Sequence, residues 1–204
     1  MSRQAHWNHI YETKPSDAVS WFQSNPATSL RLLDLAGLGA TSCVIDIGGG
    51  DSRLVDSLLD RGVSCVTVLD ISAAAITRAQ MRLGARASRV SWIVADVTGE
   101  WGVPSVDLWH DRAVFHFLVD GSDRSSYVRS LRRGLKPGGH VVISTFAPDG
   151  PTKCSGLPVM RHSRESLARE LGPDFDLVRA FVEPHPTPMG TTQSFLYALF
   201  QLQA

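Results

Sequence analysis

The sequence has no run of about 18 consecutive apolar residues, the length a helix needs to cross a bilayer, and its N-terminus is polar. Neither a membrane partner nor a secretory leader is expected. It has no excess of either charge, since 20 Lys and Arg balance 20 Asp and Glu. A nucleic-acid partner usually requires a basic face, so none is expected. Cysteine is scarce: there are only Cys43, Cys65 and Cys154, with no CxxC spacing. Cys43 and Cys65 stand in apolar runs and read as buried thiols. That usage fits a reduced, cytoplasmic setting. Internal repeats and low-complexity linkers are missing too. What remains is a 204-residue chain, long enough for a substantial core.

What is present alternates. Residues 43–48 are a short β-rich run, and 52–61 have helical spacing that stops at Gly62. A second apolar run, 63–69, ends at Asp70. Ser72 suits the N-cap of an Ala-rich helix that stops at Gly84. A third strand, 90–95, ends at Asp96, and a fourth, 106–109, ends at His110-Asp111. Residues 123–135 are helical and are terminated by Lys136-Pro137-Gly138-Gly139. A strand at 140–146 and a helix at 163–171, capped by Ser163, come next. Two strands, 175–182 and 194–202, close the chain with no helix between them. Strands alternating with helices predict an α/β fold. It is expected to be a Rossmann-like, seven-stranded, mostly parallel sheet with helices on both faces and a C-terminal antiparallel hairpin. Residues 41–204 form this domain. Residues 1–40 form an N-terminal helical cap carrying Trp7, Tyr11, Trp21 and Phe22. Two readings of the cap stand: its aromatics pack on the core, or they form a lid over a ligand.

The richest stretch is Val44-Ile45-Asp46-Ile47-Gly48-Gly49-Gly50-Asp51-Ser52-Arg53-Leu54. It reads as a buried strand, a tight turn and a helix start. Glycine has no Cβ to hold a ligand away from the backbone. In open parallel sheets, ligands bind beyond the carboxyl ends of the strands. Asp46, Asp70 and Asp96 mark those ends. Asp70 lies 22 residues after Gly48, the spacing of a carboxylate that reaches ribose hydroxyls. The loop lacks GxGxxG, and Asp51 at the helix start would repel a pyrophosphate. S-adenosylmethionine carries a ribose, an ammonium and a sulfonium, and no phosphate.

Here the chain resembles the class I S-adenosylmethionine-dependent methyltransferases, over roughly residues 40–204. Asp46-Ile47-Gly48-Gly49-Gly50-Asp51-Ser52 is similar to the family's first motif, with Ser52 where the last glycine is usual. Val68-Leu69-Asp70-Ile71-Ser72 is similar to the second, and Val94-Ala95-Asp96-Val97 to the third. Leu135-Lys136-Pro137-Gly138-Gly139-His140 is similar to the turn before the fifth strand. The resemblance implies S-adenosyl-L-methionine as cofactor. Gly48, Gly49 and Gly50 would pass close to its methionine part, and Asp70 would hold the ribose hydroxyls. Asp96 and the Val97 amide would meet the adenine edge, with Ile71 on its face. Asp46 is either a further cofactor contact or a brace for the turn.

Methyl transfer is an in-line displacement, so alignment and water exclusion matter more than acid catalysis. A base matters only if the nucleophile arrives protonated. Asp111, His116 and His110 are the catalytic candidates. The competing readings make Asp111 a helix cap and place Arg112 and His116 on one helix face at i and i+4. Arg112, Cys154, His185 and Trp21 are candidates for the acceptor pocket. His185 is flanked by Pro184, Pro186 and Pro188, which suits a rigid pocket wall. His116, Cys154 and His185 together would make a soft metal site, but no local ligand spacing supports one, and no metal is expected. Asp111-Arg112 is similar to a feature of small-molecule thiol methyltransferases. The N-terminal aromatics look somewhat like those of enzymes that methylate protein lysines. The expected acceptor is a small-molecule thiol or amine, with a protein lysine as the alternative. A third reading is a catalytically inactive S-adenosylmethionine-binding module or partner subunit.

Overall fold

The computed structural model describes residues 2–203. Helix α1 (Arg3–Thr13) and helix α2 (Ala27–Leu35) precede the first strand, β1 (Cys43–Ile47). There follow α3 (Leu54–Asp60), β2 (Cys65–Asp70), α4 (Ala73–Leu83), β3 (Val90–Val94) and β4 (Val106–Arg112). Then come α5 (Gly121–Gly134), β5 (Leu135–Phe146), a small hairpin of β6 (Lys153–Cys154) and β7 (Leu157–Pro158), and α6 (Arg164–Leu171). The long pair β8 (Phe175–Pro186) and β9 (Thr192–Leu202) closes the chain.

Seven strands form one sheet in the order β3-β2-β1-β4-β5-β9-β8. The first five are parallel, and β9 runs antiparallel to both β5 and β8. The expected topology is therefore met, antiparallel hairpin included. The strands are apolar because both faces are covered. On one face Ile45, Trp109, Val141 and Ile143 pack with Tyr127 and Leu131 of α5 and Leu167 and Leu171 of α6. On the other, Val44, Val66, Val68 and Leu108 pack with Leu30, Leu32 and Leu33 of α2 and with Leu54, Val55 and Leu58 of α3. Thus α2, from the N-terminal segment, belongs to the main core.

Local signals set the helix ends. The Ser72 hydroxyl accepts from the Ala75 amide at 3.2 Å, and Gly84 ends α4 at φ +57°. Ser163 and Ser166 cap α6 reciprocally. Several boundaries depart from the sequence reading. β4 runs on to Arg112, so His110 and Asp111 are strand residues on opposite faces of the sheet rather than a loop. Leu135 through Gly139 joins β5, with an irregular register between Val106 and Leu108. The polar connection expected between the last strands shrinks, because Glu183 through Pro186 pairs in register with Thr192 through Phe195. Cys65 is exposed and Cys43 half-buried, so neither is the buried thiol expected. Strand starts lie at the rim of a sheet, where an apolar run need not be covered. No helix among the described residues is long and apolar enough to cross a membrane.

Candidate active site

The strand order reverses between β1 and β4, and a crevice opens at the carboxyl ends beside that switch. The glycine loop forms its edge. Gly48 and Gly49 both donate backbone N–H groups to the Leu69 carbonyl, at 2.7 and 3.2 Å. Gly48 sits at φ +64°, and a side chain there would collide with Val114. A side chain on Gly49 would strike Asp46, and one on Gly50 would strike Asp70 and reach 2.7 Å from Ala75 Cβ. The loop therefore lies directly against two carboxylates.

Asp70 ends β2 and is 4% exposed. Its Oδ1 accepts from the Ser72 amide at 2.8 Å. Burial first, with the Asp46 charge adding, pushes its carboxyl up to about 7 against backbone hydrogen bonds that pull it down. Asp96 follows β3 and accepts from the Thr98 amide and hydroxyl at 2.9 and 2.7 Å. Its Oδ2 lies 3.5 Å from Arg3.

These groups share one cavity of about 760 Å³, part of it open to solvent. Gly48, Asp70, Ile71, Asp96 and Val97 form one side. Arg3, Trp7, Tyr11 and Trp21 close it from the N-terminal segment, and Arg112, Ala113, Val114, Phe117, Leu118 and Cys154 form the far wall. Helix α1 is held across the strand ends by Arg3, which also pairs with Asp123, and by Asn8, whose Oδ1 accepts from the Ser72 hydroxyl at 2.8 Å. The Trp7 ring lies 5.0 Å from Phe117 and 5.7 Å from Trp21. Burial raises the Tyr11 phenol far above its ordinary range, so it stays neutral. Ala113, at φ +70°, is a non-glycine residue in the left-handed region, on the wall where β4 turns away.

A second cavity, of about 610 Å³, lies behind the glycine loop. In its wall Asp46 Oδ1 meets His110 Nδ1 at 2.7 Å, and His110 Nε2 meets the Ser29 hydroxyl at 2.8 Å. All three are at most 2% exposed, and Asp46 Oδ2 has no hydrogen-bond partner. A carboxylate accepts only, so His110 Nδ1 donates to Asp46, and Nε2 pairs with the Ser29 hydroxyl. Arg112 borders both cavities. It donates to Tyr197 Oη at 3.0 Å and to the Trp21 carbonyl at 2.8 Å, and its guanidinium lies 4.8 Å from the Phe195 ring centre.

Of the catalytic candidates, only His110 borders a cavity. Asp111 faces the other side of the sheet, fully buried. Its oxygens accept from Tyr127 Oη at 2.8 Å and from the Val114 and Phe115 amides at 3.0 and 3.3 Å. It braces the turn after β4, and burial lifts its carboxyl to about 6. His116 is sealed among Phe117, Phe146 and Phe195. Its Nδ1 accepts from the Phe146 amide at 3.3 Å, and burial pushes it down to about 3. Proton transfer with an acceptor in the cavity needs contact that neither residue has. Among the pocket candidates, Arg112, Trp21 and Cys154 line the main cavity, whereas His185 bonds the Ser20 carbonyl at 2.9 Å and borders a shallow surface hollow. Cys154 and His185 both neighbour Ser20, and His116 and His185 both flank the Phe195 ring, yet no hydrogen bond joins the three among the described residues.

Asp51 does not act as expected either. It pairs with Arg82 and lies 3.7 Å from Arg78. Two guanidiniums offset its charge, so its repulsion of a pyrophosphate does not hold. The acidic group left on the main cavity beside the glycine loop is Asp70. Ser29, Phe117 and Arg3 went unread as site residues, whereas Trp7 and Tyr11 were already offered as part of a cap or a lid. Ser29 looks like any first-turn serine, and no local pattern placed Arg3 against a carboxylate 93 positions away.

A methyltransferase domain family matches residues 45–141. An uncharacterized methyltransferase of Mycobacterium tuberculosis is 34% identical over 127 residues, which are 62% of this chain and 60% of the relative. The 23S rRNA (guanine(748)-N(1))-methyltransferase of Streptomyces fradiae is 33% identical over 149 residues, 70% of this chain and 49% of that one. The chain therefore spans about half to three-fifths of these curated relatives. Among solved structures, the N-methyltransferase NodS of Bradyrhizobium japonicum, in complex with S-adenosyl-l-homocysteine, has a TM-score of 0.73 at 20% identity, with all of both chains covered. The 1,6-didemethyltoxoflavin-N1-methyltransferase of Burkholderia thailandensis also scores 0.73 at 20% identity, over 98% of this chain and 87% of that one. At such identities the likeness is one of fold.

Proposed function

This chain carries a methyltransferase domain of the class I, S-adenosylmethionine-dependent type, and we propose that it methylates a small-molecule thiol or amine. The observation that carries the reading is the shared cavity. Asp70, Ile71, Asp96 and Val97 on one side face an aromatic enclosure of Trp7, Tyr11, Trp21 and Phe117 in the same space. Glycines that leave no room for a Cβ, beside a buried acceptor at the end of β2, fit an adenosine-bearing ligand. When bound, S-adenosylmethionine supplies a methyl group on a positively charged sulfur.

The chain's own residues divide the remaining work. Asp70 accepts from ribose hydroxyls, and Asp96 and the Val97 amide take the adenine edge, with Ile71 beside the ring. Gly48 and Gly49 let the backbone approach the methionine part, and Asp46 Oδ2 offers an acceptor to its ammonium. His110, held by Ser29, keeps Asp46 oriented and is a positioning residue. Trp7, Tyr11, Trp21 and Phe117 exclude water from the transfer path and hold a flat or apolar acceptor in line. Both carboxylates that border the main cavity are already hydrogen-bonded, and Asp111 and His116 lie elsewhere. The acceptor therefore brings its own lone pair and gives its proton to water.

A small apolar enclosure suits a small molecule better than an extended chain. The 1,6-didemethyltoxoflavin-N1-methyltransferase, a neighbour in fold, holds 1,6-didemethyltoxoflavin and S-adenosylhomocysteine in its crystal structure. The ribosomal RNA relative makes nucleic acid the reading to test against, and the balanced charge of this chain counts against it. The test has two stages. Calorimetry with S-adenosylmethionine and S-adenosylhomocysteine comes first, and binding of neither sinks the proposal. Methyl-labelled cofactor is then offered with a thiol and amine panel, and separately with cell lysate. Label in small molecules supports the reading. Label confined to protein or RNA moves the acceptor class, and binding without any transfer marks an inactive module.

A further inference from the structure

At the end of the sheet away from the glycine loop, β1 and β2 both begin with cysteine. Cys43 and Cys65 are the first register pair of these parallel strands. Neighbouring strands lie about 4.8 Å apart, inside the roughly 4.4–6.8 Å Cα separation that a disulfide spans. Register partners on parallel strands direct their side chains to the same face. Each thiol is the nearest cross-strand neighbour of the other in the register of these strands. Neither is sealed from solvent: Cys65 is exposed and Cys43 half-buried.

The strand starts are fixed against each other. The Ser64 amide and hydroxyl both donate to the Ala40 carbonyl, at 3.0 and 2.9 Å. The Cys43 amide donates to Asp107 Oδ2 at 2.8 Å, and the Lys136 ammonium binds Asp107 Oδ1 at 2.8 Å. We infer that Cys43 and Cys65 form a redox-active dithiol, which closes to a disulfide by exchange with a low-molecular-weight disulfide such as oxidised glutathione.

The exchange balances in two displacements. The Cys43 thiolate attacks one sulfur of glutathione disulfide, and one glutathione leaves as thiolate. Cys65 then gives up its proton and attacks the Cys43 sulfur of the mixed disulfide, releasing the second glutathione. The two cysteines lose two electrons and two protons, and the two glutathiones gain them. The neighbouring Cys43 sulfur, with burial adding, pushes the Cys65 thiol up to about 11 and holds its proton. That makes Cys43 the attacking sulfur and Cys65 the resolving one.

Cys154 is the internal control, since it is 6% exposed and lines the main cavity. Wild type, Cys154→Ser, Cys43→Ser and Cys65→Ser would each be equilibrated across reduced-to-oxidised glutathione ratios. Acid quenching, alkylation and intact-mass and peptide analysis follow. Wild type and Cys154→Ser are expected to become two hydrogens lighter, with one cross-linked peptide joining Cys43 to Cys65. The two single variants of the pair are expected to carry one glutathione on the remaining cysteine instead. Separate glutathione adducts on Cys43 and Cys65 in wild type would overturn the inference. So would free thiols at both positions in fully oxidised glutathione.

Discussion

Replacing Asp70 with asparagine pulls stability and cofactor binding in opposite directions. Burial raises the Asp70 carboxyl from its ordinary 3.8 to about 7. A carboxyl raised on folding binds its proton more tightly in the folded chain. Its favourable contribution is complete below about pH 4, shrinks as pH rises, and is gone above about pH 7. At ~1.4 kcal/mol per pKa unit the whole interval is worth about 4 kcal/mol. Integrated between pH 5 and pH 8, it is roughly 3 kcal/mol. Asparagine does not titrate, so the variant escapes this loss. Asp111 and His116 are also shifted, but they titrate in both proteins and drop out of the difference. The amide keeps an oxygen for the Ser72 amide but turns N–H toward other backbone donors, so absolute stability is a poor readout and the pH dependence a good one. Urea unfolding of both cofactor-free proteins at pH 5, 6.5 and 8 should show the variant gaining on wild type by about 3 kcal/mol across the range. Cofactor affinity should fall by about 2–3 kcal/mol, some 30- to 150-fold, because charge-assisted bonds to the ribose are lost. Parallel pH curves for the two proteins would refute the burial argument, and an affinity within threefold of wild type would remove Asp70 from the ribose.

Three other substitutions separate bracing from chemistry. Tyr127→Phe removes one partner of the buried Asp111 carboxylate; unfolding should show a loss of about 1–3 kcal/mol, with kcat at saturating substrate unchanged. A large kcat loss in the fully folded variant would return Asp111 to the catalytic set. Gly50→Ala forces a Cβ onto Asp70 and Ala75; melting should detect a loss of about 1–3 kcal/mol, and calorimetry weaker cofactor binding. An unperturbed variant would mean that the loop is slack. Trp7→Ala opens the enclosure at Phe117 and Trp21; acceptor KM should rise more than tenfold while cofactor Kd moves less. Equal effects on both would place Trp7 over the cofactor instead.

The sequence made the strand-end side of the main cavity legible and its opposite wall much less so. Gly48, Asp70 and Asp96 stand at strand ends, and strand ends are announced by apolar runs that stop at a polar residue. Which face a residue takes there is another matter. Adding His110, Asp111 and Arg112 to β4 sends His110 and Arg112 to one face and Asp111 to the other, because strand side chains alternate. That parity decides which of them meets a ligand, and nothing local in His110-Asp111-Arg112 sets it. Asp51 shows a second limit. Its charge is offset by Arg82, 31 positions away, and a helix-start acid without a known partner has no known field. His185 shows a third: a proline-flanked histidine read as loop became a paired strand residue once the hairpin register was set.

The N-terminal enclosure also gives the protein an optical handle. Of its five tryptophans, Trp7 and Trp21 line the main cavity, while Trp92, Trp101 and Trp109 do not. Both cavity indoles stand among other rings on a cavity that Arg3 and Arg112 also line, so anything that enters changes the polarity and quenching they experience. Intrinsic emission then reports occupancy in the unlabelled chain, and single Trp→Phe variants at positions 7 and 21 would assign the signal. Stopped-flow traces of that emission would time the arrival of cofactor and acceptor separately, and so give their order of binding.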